Sequence, residues 1–113
     1  VRRCTNKPIE ETIRNICYSK AFIGMGSGLA WLAWSLGKPV VLISGFSEKF
    51  CEMLEGEKVS RIINEEVCHG CFNDIEYVFD RGDSEWCPRN ENYVCTKEIS
   101  VDSVFSGLKR VLE

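Results

Sequence analysis

Four cysteines in the second half of the chain have the type and spacing for chemistry. Cys68 and Cys71 bracket His69-Gly70, and Cys87 and Cys95 follow. A Cys-x-x-Cys step lets one tight knuckle of backbone grip an ion. A second pair can close a tetrahedron from a separate loop, and four thiolates around one ion suit zinc or a single iron. The second pair is separated by seven residues, so this is not a standard double knuckle. Other chemistries stay open. A redox pair would use Cys68 and Cys71, although no helix start is at hand to lower a thiol pKa. Unconnected buried thiols are a further reading. Haem attachment needs His directly after the second cysteine, where Phe72 stands. A pure disulfide framework would leave one of the seven cysteines unpaired. Cys4, Cys17 and Cys51 read as ordinary core or surface thiols. His69, the only histidine, reads as pointing outward between two ligands, and no Ser or Asp motif ties it into a triad.

A second candidate is Gly24-Met25-Gly26-Ser27-Gly28, between a strand and a helix. At such a turn the first backbone N–H groups of the helix point into the loop, and small residues let a phosphate approach them. The dinucleotide fingerprint would need Gly where Leu29 stands, and Gly37-Lys38 is followed by Pro39, not Ser or Thr, so no Walker loop is present. A tight turn without a ligand remains an alternative. Trp31 and Trp34 follow on the helix; Trp31 is close enough to stack on a base or sugar, whereas Trp34 reads as core or interface. Arg81-Gly82-Asp83 reads as a turn.

These residues need elements to hold them. A helix is predicted over 6–20, with Pro8 in its first turn, Glu10 and Glu11 at the positive end, and Ile9, Ile13 and Ile16 or Cys17 as a stripe. Residues 21–25 read as a short buried strand and 29–36 as a helix stopped by Gly37 and Pro39. Val40 to Ile43 is a continuous apolar run, as in a strand covered on both faces. Strand, turn, helix, strand makes a βαβ unit with parallel strands. Residues 47–58, with Glu48, Lys49, Glu52, Glu55, Glu57 and Lys58, read as a solvated helix or loop, and 59–64 as a third strand. Residues 65–97 are irregular and turn-rich, and metal binding would supply folding energy to them. Ser100 caps a closing helix whose apolar face is Val101, Val104, Phe105, Leu108 and Leu112.

The chain has 113 residues, enough for a single domain, 1–113, with 65–97 as its cysteine segment. At 44% hydrophobic and 27% charged residues it reads as soluble and globular. A net charge of −3 with scattered basic residues offers no patch for nucleic acid or an anionic membrane, and no apolar run is long enough to span a bilayer. The opening Val1-Arg2-Arg3-Cys4 does not read as a signal peptide, and a start on Val suggests a mature form or a piece of a longer protein. The odd cysteine count and the lack of an Asn-x-Ser/Thr site favour a reducing cytoplasm.

From Ile9 to Ser47 the chain resembles the C-terminal, donor-binding half of heptosyltransferases of glycosyltransferase family nine. Those enzymes carry Asp-Ser-Gly-Pro-Met-His and then Leu-Ala-x-Ala-Leu-Gly-x-Pro-x-Val. Here the run is Gly26-Ser27-Gly28-Leu29-Ala30-Trp31, then Leu32-Ala33-Trp34-Ser35-Leu36-Gly37-Lys38-Pro39-Val40. Gly26, Leu29 and Trp31 replace the Asp, Pro and His. Together with RIINEEVCHGCFND, FDRGDSEWCPR and CTKEIS, these departures resemble the bacterial autotransporter heptosyltransferase branch.

The resemblance implies an α/β fold: the Rossmann-like, parallel-sheet C-terminal half of a GT-B glycosyltransferase with an irregular four-cysteine segment. It implies transfer of heptose from ADP-heptose to serine of an autotransporter, by an enzyme that forms large homo-oligomers. It implies one iron on Cys68, Cys71, Cys87 and Cys95, with zinc as alternative. Ser27, Gly28 and Leu29 would offer N–H groups to the diphosphate, and Trp31 would lie near the sugar. The catalytic carboxylate of that family lies in the N-terminal half, so no catalytic residue is expected here, and the chain alone is expected to be inactive. The competing reading is a non-catalytic, metal-stabilised assembly module.

Overall fold

The computed structural model describes residues 3–113; Val1 and Arg2, the start of the polar opening, lie outside them. A helix α1 (Ile9–Tyr18) leads into strand β1 (Phe22–Met25), helix α2 (Gly28–Ser35) and strand β2 (Val40–Ile43). A 3-10 turn (Lys49–Cys51) precedes strand β3 (Val59–Ile62). Another 3-10 turn (Cys71–Asn73) and the single-turn helix α3 (Val94–Lys97) punctuate the cysteine segment, and α4 (Val101–Leu112) closes the chain.

The three strands form one parallel sheet in the order β1-β2-β3, with Phe22 opposite Val40 and Val40 opposite Val59. The central strand explains its own sequence. Val40, Val41 and Leu42 are fully buried, because β2 has a neighbour on each side and helices over each face. Alternation sends Val40, Leu42 and Val59 into a core with Ile16, Ala30, Ala33 and Met53, beneath α1 and α2. Ser60 and Ile62 face α4, where Gly107 lets the helix come close: a Cβ there would stand 2.7 Å from Ile62 Cδ1 and 2.8 Å from Ser60 Oγ.

Several expectations need correction. Residues 21–25 are not a buried strand: β1 lies at the sheet edge, and Ile23 and Met25 are exposed. The helix expected over 6–20 runs only from Ile9 to Tyr18, with Pro8 as its N-cap; of the expected stripe Ile16 is buried, while Ile9 and Cys17 are exposed. On α4, Ser100 does cap the helix, its Oγ accepting from the Ser103 N–H at 3.1 Å. The expected apolar face is rotated, however. Gly107 and Val111 are the buried positions, while Val101, Phe105 and Leu112 are exposed. The close approach at a residue without a side chain turns the helix further than its large apolar residues suggest. The stretch 47–58 is largely exposed, as expected, with Ser47 and Met53 buried and Glu52 turned inward as the exceptions.

Candidate functional site

The site is built on the segment that follows β2. Parallel sheets present ligands with the crevice beyond the carboxyl ends of their strands. Here that edge carries the β1–α2 turn, Gly26-Ser27-Gly28, beside Ser44 to Ser47. Between them lies a cavity of about 340 Å³ that also meets Trp31, Glu52 and Phe72. Ser27 is the N-cap residue of α2, and its carbonyl accepts from the Ala30 and Trp31 N–H groups at 3.1 and 3.2 Å. As the first residues of α2, Gly28 and Leu29 have no carbonyl one turn back within the helix, so their N–H groups remain free for a ligand. Around Gly28 nothing lies within 4 Å of an added Cβ, so its front is open space.

Of the expected donor-site residues, Ser27, Gly28 and Trp31 border this cavity. The Leu29 side chain lies in a separate groove with Ile23 and Phe22. Trp31 and Trp34 meet edge to face at 5.9 Å, and Trp34 is half-exposed rather than core.

The cysteine segment docks on the other side of the same loop. Gly70 adopts a left-handed φ of 76°, and its N–H donates to the Gly45 carbonyl at 2.7 Å. The Phe72 N–H donates to the Phe46 carbonyl at 3.0 Å. Those two bonds seat the Cys68–Cys71 knuckle. The other arm arrives where Gly45 has no side chain: a Cβ there would strike the Cys95 carbonyl carbon and Cβ, each 3.0 Å away. Phe46 is the hub, with ring centroids 5.2 Å from Phe72 and 5.7 Å from both Phe79 and Trp86.

Cys68, Cys71, Cys87 and Cys95 all border one cavity of about 430 Å³, and none of them is in a disulfide. Among the described residues, no three His, Cys, Asp or Glu side chains are gathered closely enough to hold an ion. Burial pushes the Cys68 thiol up, and Cys95, Glu91 and Cys87 add to this. Burial likewise raises Cys71, opposed by Arg89 and reinforced by the other three cysteines. Burial is thus the main reason that Cys68 and Cys71 hold their protons, with neighbouring thiols adding a smaller share. His69 does not border the four-cysteine cavity: half-buried, its Nδ1 lies 2.9 Å from the Val67 carbonyl, which requires the proton on Nδ1. Arg81-Gly82-Asp83 is a turn, with the Gly82 N–H bonded to the Asp80 carboxylate at 2.8 Å.

Sequence reasoning missed one group entirely. Glu52 Oε2 accepts from Ser44 Oγ at 2.8 Å and from Arg61 Nε at 2.9 Å, and Oε1 accepts from Ser47 Oγ at 2.6 Å. Arg61 Nη2 donates to the Ser47 carbonyl at 2.6 Å. Burial alone would raise the Glu52 carboxyl. The bonds from Ser47, Arg61 and Ser44 and the Arg61 charge outweigh that and hold it below the usual carboxylate range. Glu52 looked like one of several charges in a polar run; only its pairing with a β3 residue sets it apart.

No family model matches the chain. Individual relatives do. It is 39% identical over 108 residues to the autotransporter heptosyltransferase BAHTCr of Citrobacter rodentium, covering 92% of this chain and 26% of the relative. It is 39% identical over 112 residues to the autotransporter heptosyltransferase TibC of Escherichia coli O78:H11, covering 93% and 27%. The inactive autotransporter heptosyltransferase BimC of Burkholderia thailandensis is 36% identical, over 92% of this chain and 25% of its own length. The crystal structure of the dodecameric iron-containing heptosyltransferase TibC in complex with ADP-D-β-D-heptose superimposes with a TM-score of 0.83 at 35% identity, over 94% of this chain and 29% of that one. The chain thus spans about a quarter of the length of the curated relatives it matches. In sequence and in fold, it corresponds to the C-terminal part of the autotransporter heptosyltransferases.

Proposed function

We propose that this chain is the donor-binding, C-terminal part of a GT-B protein O-heptosyltransferase, the single domain 1–113. It takes ADP-heptose and serves transfer of the sugar to a serine of an autotransporter in the cytoplasm. The observation that carries this reading is the open cavity at the β1–α2 turn, in a fold superimposable on a heptosyltransferase crystallised with ADP-D-β-D-heptose. In the transfer, the serine oxygen bonds to the anomeric carbon as that carbon's bond to the diphosphate oxygen breaks. The leaving diphosphate keeps the electron pair. The N–H groups of Gly28 and Leu29, with the positive end of α2, stabilise that developing charge, and Ser27 shapes the turn. Trp31 offers an aromatic face to the sugar. The base that takes the serine proton lies in the other half of the enzyme, so the 113 residues alone do not turn over.

Cys68, Cys71, Cys87 and Cys95 would hold one iron, with zinc as the alternative. The donor chemistry suits such an ion: four sulfurs border one cavity, and burial disfavours the Cys68 and Cys71 thiolates, a penalty that a cation offsets; to share it the thiols would have to draw closer than they stand here. Such an ion supplies folding energy to the segment. The full enzyme would be a homo-oligomer, as TibC is dodecameric. No helix among the described residues is long and apolar enough to cross a membrane.

Calorimetric titration with ADP tests the pocket. Gly28→Val fills open space in front of the turn and should abolish ADP binding while leaving stability nearly unchanged. Unaltered binding refutes the donor reading. The inactive relative BimC favours a second reading, a metal-stabilised assembly module without catalysis. In that case neither protein binds ADP, while the metal and the oligomer persist.

A further inference from the structure

Glu52 enters the donor cavity from the loop after β2, opposite the β1–α2 turn. Its side chain is 11% exposed and that of its partner Arg61 7%. A carboxylate offers roughly four lone-pair sites. Ser44 and Arg61 occupy Oε2, and Ser47 occupies one site of Oε1. The remaining site belongs to Oε1, the oxygen that faces Gly26. A Cβ added at Gly26 would fall on Oε1, no farther away than a carboxylate oxygen lies from Cβ inside an aspartate side chain. Position 26 is where the family-nine run carries Asp and this chain carries Gly. Glycine at 26 and Glu52 in this pose are therefore complementary: any side chain at 26 would expel the carboxylate.

We propose that Glu52 replaces that aspartate across space, its Oε1 accepting a hydrogen bond from a hydroxyl of the nucleotide-sugar donor. This rests on the reading of the cavity as the donor pocket. A hydroxyl is the fitting partner because an anionic oxygen attracts an O–H donor and repels a phosphate, and a charge-assisted O–H···O⁻ bond is short and strong. The Arg61 charge beneath the carboxylate cancels its field, so a diphosphate at Gly28 is not driven off. Ser44, Ser47 and Arg61 are positioning residues that hold the acceptor still. A site built around a hydroxyl rejects analogues that lack it far more strongly than an apolar wall would.

The hydroxyl belongs either to the ribose or to the transferred sugar, and two ligands separate them. In the full-length protein, Glu52→Gln keeps the shape of the side chain and removes the charge. Titration with ADP-heptose should show affinity weakened about tenfold or more. If ADP is weakened equally, the ribose hydroxyl is the partner; if ADP is unaffected, the sugar hydroxyl is. Unchanged affinity for both ligands in E52Q, with ADP binding abolished in G28V, overturns the role of Glu52 and leaves the donor pocket standing. ADP binding insensitive to G28V overturns both. If E52Q does not fold, a crystal structure of the wild-type protein with ADP-heptose decides. A donor hydroxyl within hydrogen-bonding distance of Oε1 is expected, and none there overturns the proposal.

Discussion

Val40, Val41 and Leu42 lose all exposure inside the sheet, whereas Ile75 and Val78 in the cysteine segment keep 99% and 89% of theirs. The two regions touch across Gly45 and Phe46, yet they are stabilised by different means. The sheet combines two parallel ladders with aliphatic burial on both faces, the ordinary route to a self-supporting core. The segment relies on local devices. Asp74, Asp80 and Asp83 each accept the backbone N–H two residues on. Arg89 pairs with Asp74 at 2.7 Å, and Phe46, Phe72, Phe79 and Trp86 stack edge to face or tilted. Such turns and partly exposed pairs contribute little each. The metal on the four thiols proposed above would give this region the cross-link that the sheet does not need.

The strongest way to break this contrast is to remove the proposed cross-link. If the proposed ion is bound, Cys68→Ser with Cys71→Ser, or a strong chelator, should strip it; structural metals in small thiolate sites contribute on the order of 10 kcal/mol. Hydrogen exchange should then show amides of 65–97 exchanging freely while β2 stays protected. Loss of β2 protection would mean that the regions fold as one. Retained metal in the double variant would remove these cysteines from the ligand set.

Arg61→Met attacks the sheet side. It leaves the Glu52 carboxylate buried without its cation, a change that costs about 3–5 kcal/mol in comparable sites and should appear in urea unfolding at neutral pH. The pH dependence sharpens this. The Glu52 carboxyl titrates below its ordinary range when folded. Its stabilising contribution is fully present above the unfolded carboxylate pKa and is lost as pH falls through the lower, folded value. The wild type should therefore lose stability over that acid window, and R61M should lose less. Equal slopes would contradict the pairing.

Gly107→Val should cost about 1–3 kcal/mol by overpacking, because its Cβ meets Ile62 and Ser60. Thermal unfolding should register this while hydrogen-exchange protection of 65–97 stays unchanged. Ser100→Ala removes only the cap of α4, at about 1 kcal/mol, and should leave both regions intact. A large effect on metal content from either change would mean that α4 supports the cysteine segment.

The elements with a periodic or punctuated pattern were legible in advance: the β2 run, the glycine turn, the Pro39 stop and the Ser100 cap. Their signals are local, set by propensity and by the reach of neighbouring residues. Spacing named the cysteines as a candidate ligand set; the four border one cavity, while among the described residues no three of them stand close enough to share an ion. The edge position of β1, the rotated face of α4 and the inward turn of Glu52 were not legible. Each depends on a partner distant in the chain. β1 lies at the edge because β3 took the other side of β2, α4 is turned by a glycine against Ser60 and Ile62, and Glu52 turns inward because Arg61 and two serines satisfy it. Residue type and spacing determined which elements form and which side chains could do chemistry. Only tertiary packing decided which of them are buried together, because desolvation and pairing are properties of a neighbourhood rather than of a stretch of chain.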